Sequence, residues 1–114
     1  MAKPVELVKR DELLEGLPGE TLIRAGLSDL AAGRRTVAAC LTAIASPRLR
    51  RAGLLPSHAA GLPAEPEREL YALLRKEGGD AYERYNALLR ELISFEQALD
   101  RRLREQGRAS GEKK

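Results

Sequence analysis

Residues 81–106 read AYERYNALLRELISFEQALDRRLREQ, and this stretch decides the fold. Placed at steps of about 100°, its apolar residues fall on one broad face of a helix. Asp80 precedes the stretch as an N-cap and Glu83 follows three residues later, which is the Asp variant of a capping box. The pattern predicts one helix over 81–106, roughly 39 Å long at about 1.5 Å per residue. The apolar face consists of Tyr82, Tyr85, Leu88, Leu89, Leu92, Ile93, Phe95, Leu99 and Leu103.

That apolar face runs along nearly the whole helix, so another element must cover it. The other helices that the sequence predicts are much shorter, and they leave the far end near Leu103 without an obvious neighbour. Two arrangements would cover it. Either the N-terminal helix folds back over the far end, or a second copy of the chain pairs with it and forms a homodimer.

The rest of the chain favours helices separated by Gly and Pro. Leu occurs 20 times and Ala 17 times, whereas Val and Ile occur three times each, and this balance favours helix over strand. The breaks predict helices over residues 5–15, 20–32, 35–45, 47–52 and 66–77. We therefore expect an all-α fold, a small helical bundle of about five to six helices with a long C-terminal helix.

Residues 1–106 are expected to form a single helical domain, and residues 107–114 a flexible C-terminal tail. Residues 54–64 hold two Pro and one Gly, and they are predicted to be a mobile loop between the two halves of the domain. The predicted core consists of Leu27, Leu30, Leu41, Ile44, Leu70, Leu74, Tyr85, Leu89, Leu92 and Leu99.

One charged residue interrupts the apolar face of the long helix. Glu96 lies near the centre of that face, where an ionised carboxylate must find a partner or stay in water, because burying it alone is costly. We expect a buried or half-buried ion pair with an arginine of another helix, namely Arg34, Arg35 or Arg48. A position at the rim of an interface is the alternative, and catalysis by Glu96 would need a companion base or metal.

The middle of the chain is basic. Between Leu30 and Ala64 it holds no Asp or Glu but five arginines, although the net charge of +3 does not by itself indicate a nucleic-acid partner. These arginines can pair with acids of the bundle, form a surface for an acidic protein or for self-association, or contact nucleic acid. The possible interaction surface consists of Arg34, Arg35, Arg48, Arg50 and Arg51.

The residues that metal or covalent catalysis needs are scarce. One His and one Cys cannot supply a zinc site within one chain, and no Gly-rich phosphate loop follows a strand. Arg51 and His58, with six residues between them, resemble the Arg and His pair of HEPN-type helical ribonucleases, which would imply RNA cleavage. In that family the motif lies on a helix, whereas Gly53 and Pro56 interrupt it here. We therefore expect no enzyme activity, no cofactor and no metal.

Localisation and function follow from the remaining features. A lone cysteine, Cys40, forms no internal disulfide and is predicted to be a small buried apolar residue. No stretch approaches the ~18 apolar residues of a membrane span, and the first residues lack the apolar run of a signal peptide. We expect a cytoplasmic, non-enzymatic protein-interaction or regulatory module that acts through a helical, homo-oligomeric surface. The alternative is a nucleic-acid-binding protein that uses the Arg-rich 34–51 segment.

Overall fold

The computed structural model describes residues 11–55 and 61–111, and every regular element in these ranges is helical. Helix α1 includes residues 11–14. The other helices are α2 Glu20–Ala31, α3 Val37–Ile44, α4 Ser46–Arg51, α5 Pro66–Glu77 and α6 Ala81–Gly111. The predicted all-α fold with a long last helix is confirmed. The predicted end of that helix at Gln106 is wrong, because α6 continues to Gly111. The flexibility of residues 107–114 stays a prediction.

The helices begin where short-range signals place them. The Asp80 carboxylate accepts a hydrogen bond of 3.0 Å from the Glu83 backbone N–H, which confirms the predicted N-cap of α6. Thr36 caps α3 in the same way, with 3.1 Å between its hydroxyl and the Ala39 nitrogen. Pro66 occupies the first turn of α5, where a missing N–H leaves no hydrogen bond unmade.

Helices α2 and α3 pack closely because a glycine lies at their contact. A Cβ atom at Gly26 would lie 1.8 Å from the Thr42 hydroxyl and 2.3 Å from the Ala38 carbonyl oxygen, far inside any permitted contact. Thr42 is itself buried and donates its hydroxyl hydrogen to Ala38. The α2–α3 pair is thus the tight layer against which α5 and α6 pack.

The core lies between this pair and the long helix, with Phe95 of α6 fully buried at its centre. Most of the predicted core is present, but Leu30 is only half-buried and does not belong to the core cluster, so that prediction is wrong. The predicted core residues that are buried are Leu27, Leu41, Leu70, Leu74, Leu92 and Leu99, and those that pack half-buried against them are Ile44, Tyr85 and Leu89.

The segment after α4 belongs partly to the core. Leu54 and Leu55 are buried, although the sequence predicted a mobile loop over residues 54–64. The Leu54 backbone N–H donates to the Leu49 carbonyl at 2.8 Å and thereby holds the start of this segment against α4. The predicted loop is confirmed at residues 54–55 and 61–64, which form no helix, whereas its mobility stays a prediction, and His58 lies outside the described residues.

The far end of α6 is covered by the chain's own N-terminal segment. Leu13, Leu14 and Leu17 are buried there. One guanidinium nitrogen of Arg102 donates to the carbonyl oxygens of Glu12, Leu13 and Glu15 at 3.1, 3.0 and 2.6 Å. Arg102 of α6 thus binds the carbonyls at the C-terminal end of α1, which have no partners within that helix. Of the two arrangements that the sequence left open, the structure shows the N-terminal segment at this end.

Within the two described ranges, none of the helices combines the length and the apolar character that a bilayer span requires.

Candidate interaction surface

The near half of α6 carries apolar side chains that the bundle leaves in solvent. Tyr82 is 67% exposed and Ile93 is 50% exposed, although both belong to the apolar face that the sequence predicted. Leu89 and Asn86 lie between them and are half-buried. These four residues, spaced by four, three and four positions, form one edge of the helix, which we call the α6 edge.

Helical geometry explains why this edge is not buried. Ala81, Leu92 and Leu99 point at the core and are buried, and they lie within about 20° of one another around the helix axis. Tyr82 and Ile93 lie about 100° and 120° away from that direction. A helix that packs on one side covers only part of a stripe this wide, so its margin stays in water.

A groove beside the α6 edge is lined by residues of both α5 and α6. It is open to solvent and has a volume of about 530 Å³. Two of the residues that line it, Tyr71 and Tyr85, have ring centroids 5.5 Å apart and planes at 78°, the edge-to-face arrangement that aromatic rings favour. Its lining residues are Glu67, Arg68, Tyr71, Ala72, Arg75, Tyr82 and Tyr85. The α6 edge and this groove together form the candidate interaction surface.

The five arginines of the basic segment are not brought together. Arg34 pairs with Asp29 at 2.9 Å, and Arg35 pairs with Glu69 at 3.0 Å. Arg48 lies 3.7 Å from the Glu96 carboxylate and 3.6 Å from the Asp100 carboxylate. Three of the five arginines therefore pair with acids of the same chain, which is the first of the three roles that the sequence left open.

Arg50 and Arg51 differ from the other three. Neither has an ion-pair partner among the residues described. The Nε atom of Arg50 is buried without a hydrogen-bond acceptor in the same part of the chain, whereas Arg51 is exposed. Of the five arginines of the basic segment, these two therefore keep a charge that no described acid neutralises, as a nucleic-acid surface would require.

Glu96 lies where α4 meets α6. Its carboxylate is 3.7 Å from an Arg48 nitrogen, and the same nitrogen is 3.6 Å from the Asp100 carboxylate. The Glu96 side chain is 19% exposed, so burial raises the pKa of its carboxyl group. The Arg48 charge lowers that pKa and the Asp100 charge raises it. The arrangement is a half-buried ion pair, and Arg48 is one of the three arginines that the sequence suggested as partners.

Cys40 is fully buried in α3 and has an acid for a neighbour. Burial raises the pKa of its thiol to about 11, and the nearby Glu69 carboxylate, 3.9 Å from the sulfur atom, acts in the same direction. A thiol of this pKa is a poor nucleophile at neutral pH. His, Cys, Asp and Glu side chains form no cluster suited to a metal ion within residues 11–55 and 61–111.

The sequence did not single out the groove. Its lining residues Tyr71 and Tyr82 are apolar positions of two predicted helices, and their periodicity alone does not distinguish a core position from a marginal one. The helix wheel of α6 contained a usable signal, because Tyr82 and Ile93 both lie at its margin.

Comparison of the chain with protein-family models, with curated proteins and with solved structures found no match.

Proposed function

We propose that this chain is a non-enzymatic helical protein-interaction module, that it binds through the α6 edge and the adjoining groove, and that its partner is a second copy of itself. The single observation that carries the proposal is the exposure of Tyr82 and Ile93 on a helix whose other apolar residues are packed. Small soluble proteins seldom leave large apolar side chains in one row without a partner. With one cysteine and no disulfide, we place the protein in the cytoplasm.

The composition of the surface supports a protein partner. Tyrosines and arginines are enriched at the centres of protein interfaces, and three tyrosines and two arginines line the groove. Tyr82 also loses little conformational entropy when it is buried, because it has few rotatable bonds.

Sedimentation velocity over a range of concentrations tests this function. We expect the wild-type chain to self-associate, and we expect Tyr82→Lys with Ile93→Lys to sediment as a monomer at every concentration. Ser28→Lys is the matched control, since Ser28 is an exposed residue of α2 that belongs neither to the α6 edge nor to the groove. Self-association that survives the Tyr82 and Ile93 changes would show that another surface is used.

The second candidate is nucleic-acid binding through α4, supported by Arg50 and Arg51, the two arginines of the basic segment that form no ion pair with the residues described. A gel shift at low salt tests it with Arg50→Glu and Arg51→Glu, and Arg34→Glu is the control because Arg34 already pairs with Asp29. Binding to phosphates through these residues should weaken as salt is raised. Equal shifts for the wild-type and doubly changed chains would remove this candidate.

A further inference from the structure

The α6 edge has the spacing of a short coiled-coil seam. Tyr82, Asn86, Leu89 and Ile93 follow one another at intervals of four, three and four residues, which are the d and a positions of a heptad repeat. Glu83 and Arg90 then occupy successive e positions, seven residues apart on the solvent side of the seam. Both are exposed, and neither contributes to any ion pair within the two described ranges.

We infer that two copies of this chain pair through their α6 edges in an antiparallel direction, with Glu83 of each copy against Arg90 of the other. The inference rests on the proposed function and deepens it, because it adds the direction and the register of the pair. A two-fold axis lies near the middle of the edge, between residues 87 and 88. Tyr82 then faces Ile93 of the second copy, and Asn86 faces Leu89 of the second copy.

The charges select this direction. In an antiparallel pair the same flank of both helices meets, so e positions of one copy lie beside e positions of the other. With Tyr82 facing Ile93 of the second copy, Glu83 and Arg90 of opposite copies differ in height by about 3 Å along the axis. Long side chains span that distance, and the two-fold axis produces the contact twice.

A parallel pair offers no such contact. In a parallel pair the two-fold axis runs along the helices, so each residue lies at the same height as the identical residue of the other copy. Glu83 and Arg90 are then separated by about 10 Å along the axis and cannot meet between copies. In a parallel pair, e positions face the g positions of the other copy. Those g positions are Tyr85 and Leu92, which pack toward the bundle core and cannot pair with charges.

The outer flank also leaves room for the second copy. Ala87 and Ser94, both exposed and small, lie beyond Glu83 and Arg90 on the solvent side of α6, so no large side chain projects over the edge from there. The α5 side of the edge is the open groove.

A charge exchange tests the register. Sedimentation equilibrium would be run on the wild-type chain, on Glu83→Arg, on Arg90→Glu and on the chain with both changes. Each single change places like charges together twice in the dimer, so we expect the dissociation constant to rise roughly tenfold or more at low salt. The double change restores opposite charges, and the dissociation constant should return to within about threefold of the wild-type value.

The controls distinguish an effect on the register of the dimer from an effect on dimer formation and from an effect on folding. Thermal melting of dilute samples should give the same transition for Glu83→Arg and for the double variant, because both carry the same change in the first turn of α6. The single-variant effect should shrink at high salt, where surface charges are screened. If Tyr82→Lys with Ile93→Lys dissociates the dimer, but the Glu83 and Arg90 changes leave its dissociation constant unchanged, the register is wrong and the proposed function stands. A wild-type chain that stays monomeric would overturn both.

Discussion

The two halves of α6 share one amphipathic pattern and differ in what covers them. At the far half the N-terminal segment lies across the helix, with Leu99 fully buried and Arg102 bound to the carbonyls of α1. At the near half α5 packs against one side only, and the exposed Tyr82 and Ile93 remain on the other. The near half is therefore the part of α6 where an apolar margin is still available to a partner.

An apolar stripe in the sequence therefore predicts which face of a helix is buried, but not which element covers that face. Burial of a side chain depends on which element reaches its direction around the axis, and that element can lie far away in sequence. The far half is covered by residues that precede it by about ninety positions, as the contact of Arg102 with Glu12 shows.

Phe95 and Ile93 provide the strongest test of this difference. They are two residues apart, yet Phe95 is fully buried and Ile93 is half-exposed. Phe95→Ala should lower the free energy of unfolding by about 3–5 kcal/mol, because it opens a cavity in the core. Ile93→Ala should lower it by less than about 1 kcal/mol, since the side chain loses little packing. Urea unfolding of dilute samples measures both, and equal losses would contradict the assignment of Ile93 to an exposed edge.

Arg102→Met tests the covering of the far half. It removes the donors to the Glu12, Leu13 and Glu15 carbonyls, so we expect a loss of about 1–3 kcal/mol in the free energy of unfolding. Hydrogen exchange should quicken at Leu17, whose amide donates to the Leu14 carbonyl, before it quickens in the α2–α3 pair.

Arg101→Met is the control for this change, because Arg101 is an exposed neighbour that lies about 100° away from Arg102 around the helix axis. It should alter stability by no more than about 0.5 kcal/mol. Unchanged exchange at residues 13–17 in Arg102→Met would mean that the buried leucines hold the N-terminal segment without the arginine.

Much of the fold could be predicted from the sequence, because its signals are local. The periodicity of 81–106 places Leu92 and Leu99 in the core, and the capping pattern places the start of α6 at Asp80. Leu30 follows the same periodicity in α2 and is nevertheless half-buried and outside the core cluster, so periodicity alone did not identify which residues of the face are buried.

The rest could not be predicted, since it depends on contacts between distant residues. Pro and Gly after Leu54 and Leu55 favoured a loop, and nothing local indicates that these two side chains return to the core. Arg102 looked like one of many surface charges. For Glu96 the sequence suggested three partner arginines, and only the three-dimensional structure, with Arg48 3.7 Å from Glu96, selects one of them.

The junction of the two halves of α6 provides the smallest and most specific prediction. The α6 edge ends after Ile93, and Glu96 begins the polar contact with α4. Burial raises the folded-state pKa of Glu96 above its ordinary value of 4.5, against the opposing effect of Arg48 and with the support of Asp100. Between the unfolded and the folded pKa the native state therefore binds more protons than the unfolded chain, and this group's contribution to stability falls as pH rises through that window.

Glu96→Gln removes the titrating group, so its stability relative to the wild-type chain should be higher at pH 7 than at pH 4, by less than about 1 kcal/mol. The stability of Arg48→Met relative to the wild-type chain should instead be lower at pH 7 than at pH 4. Loss of the positive charge raises the folded-state pKa of Glu96 further, so its contribution to stability falls over a wider pH range. Adding Glu96→Gln to Arg48→Met should remove the part of this extra pH dependence that Glu96 causes. Urea unfolding at several pH values measures these differences, and a Glu96→Gln chain that gains relative stability on acidification would show that the Arg48 ion pair outweighs burial at this junction.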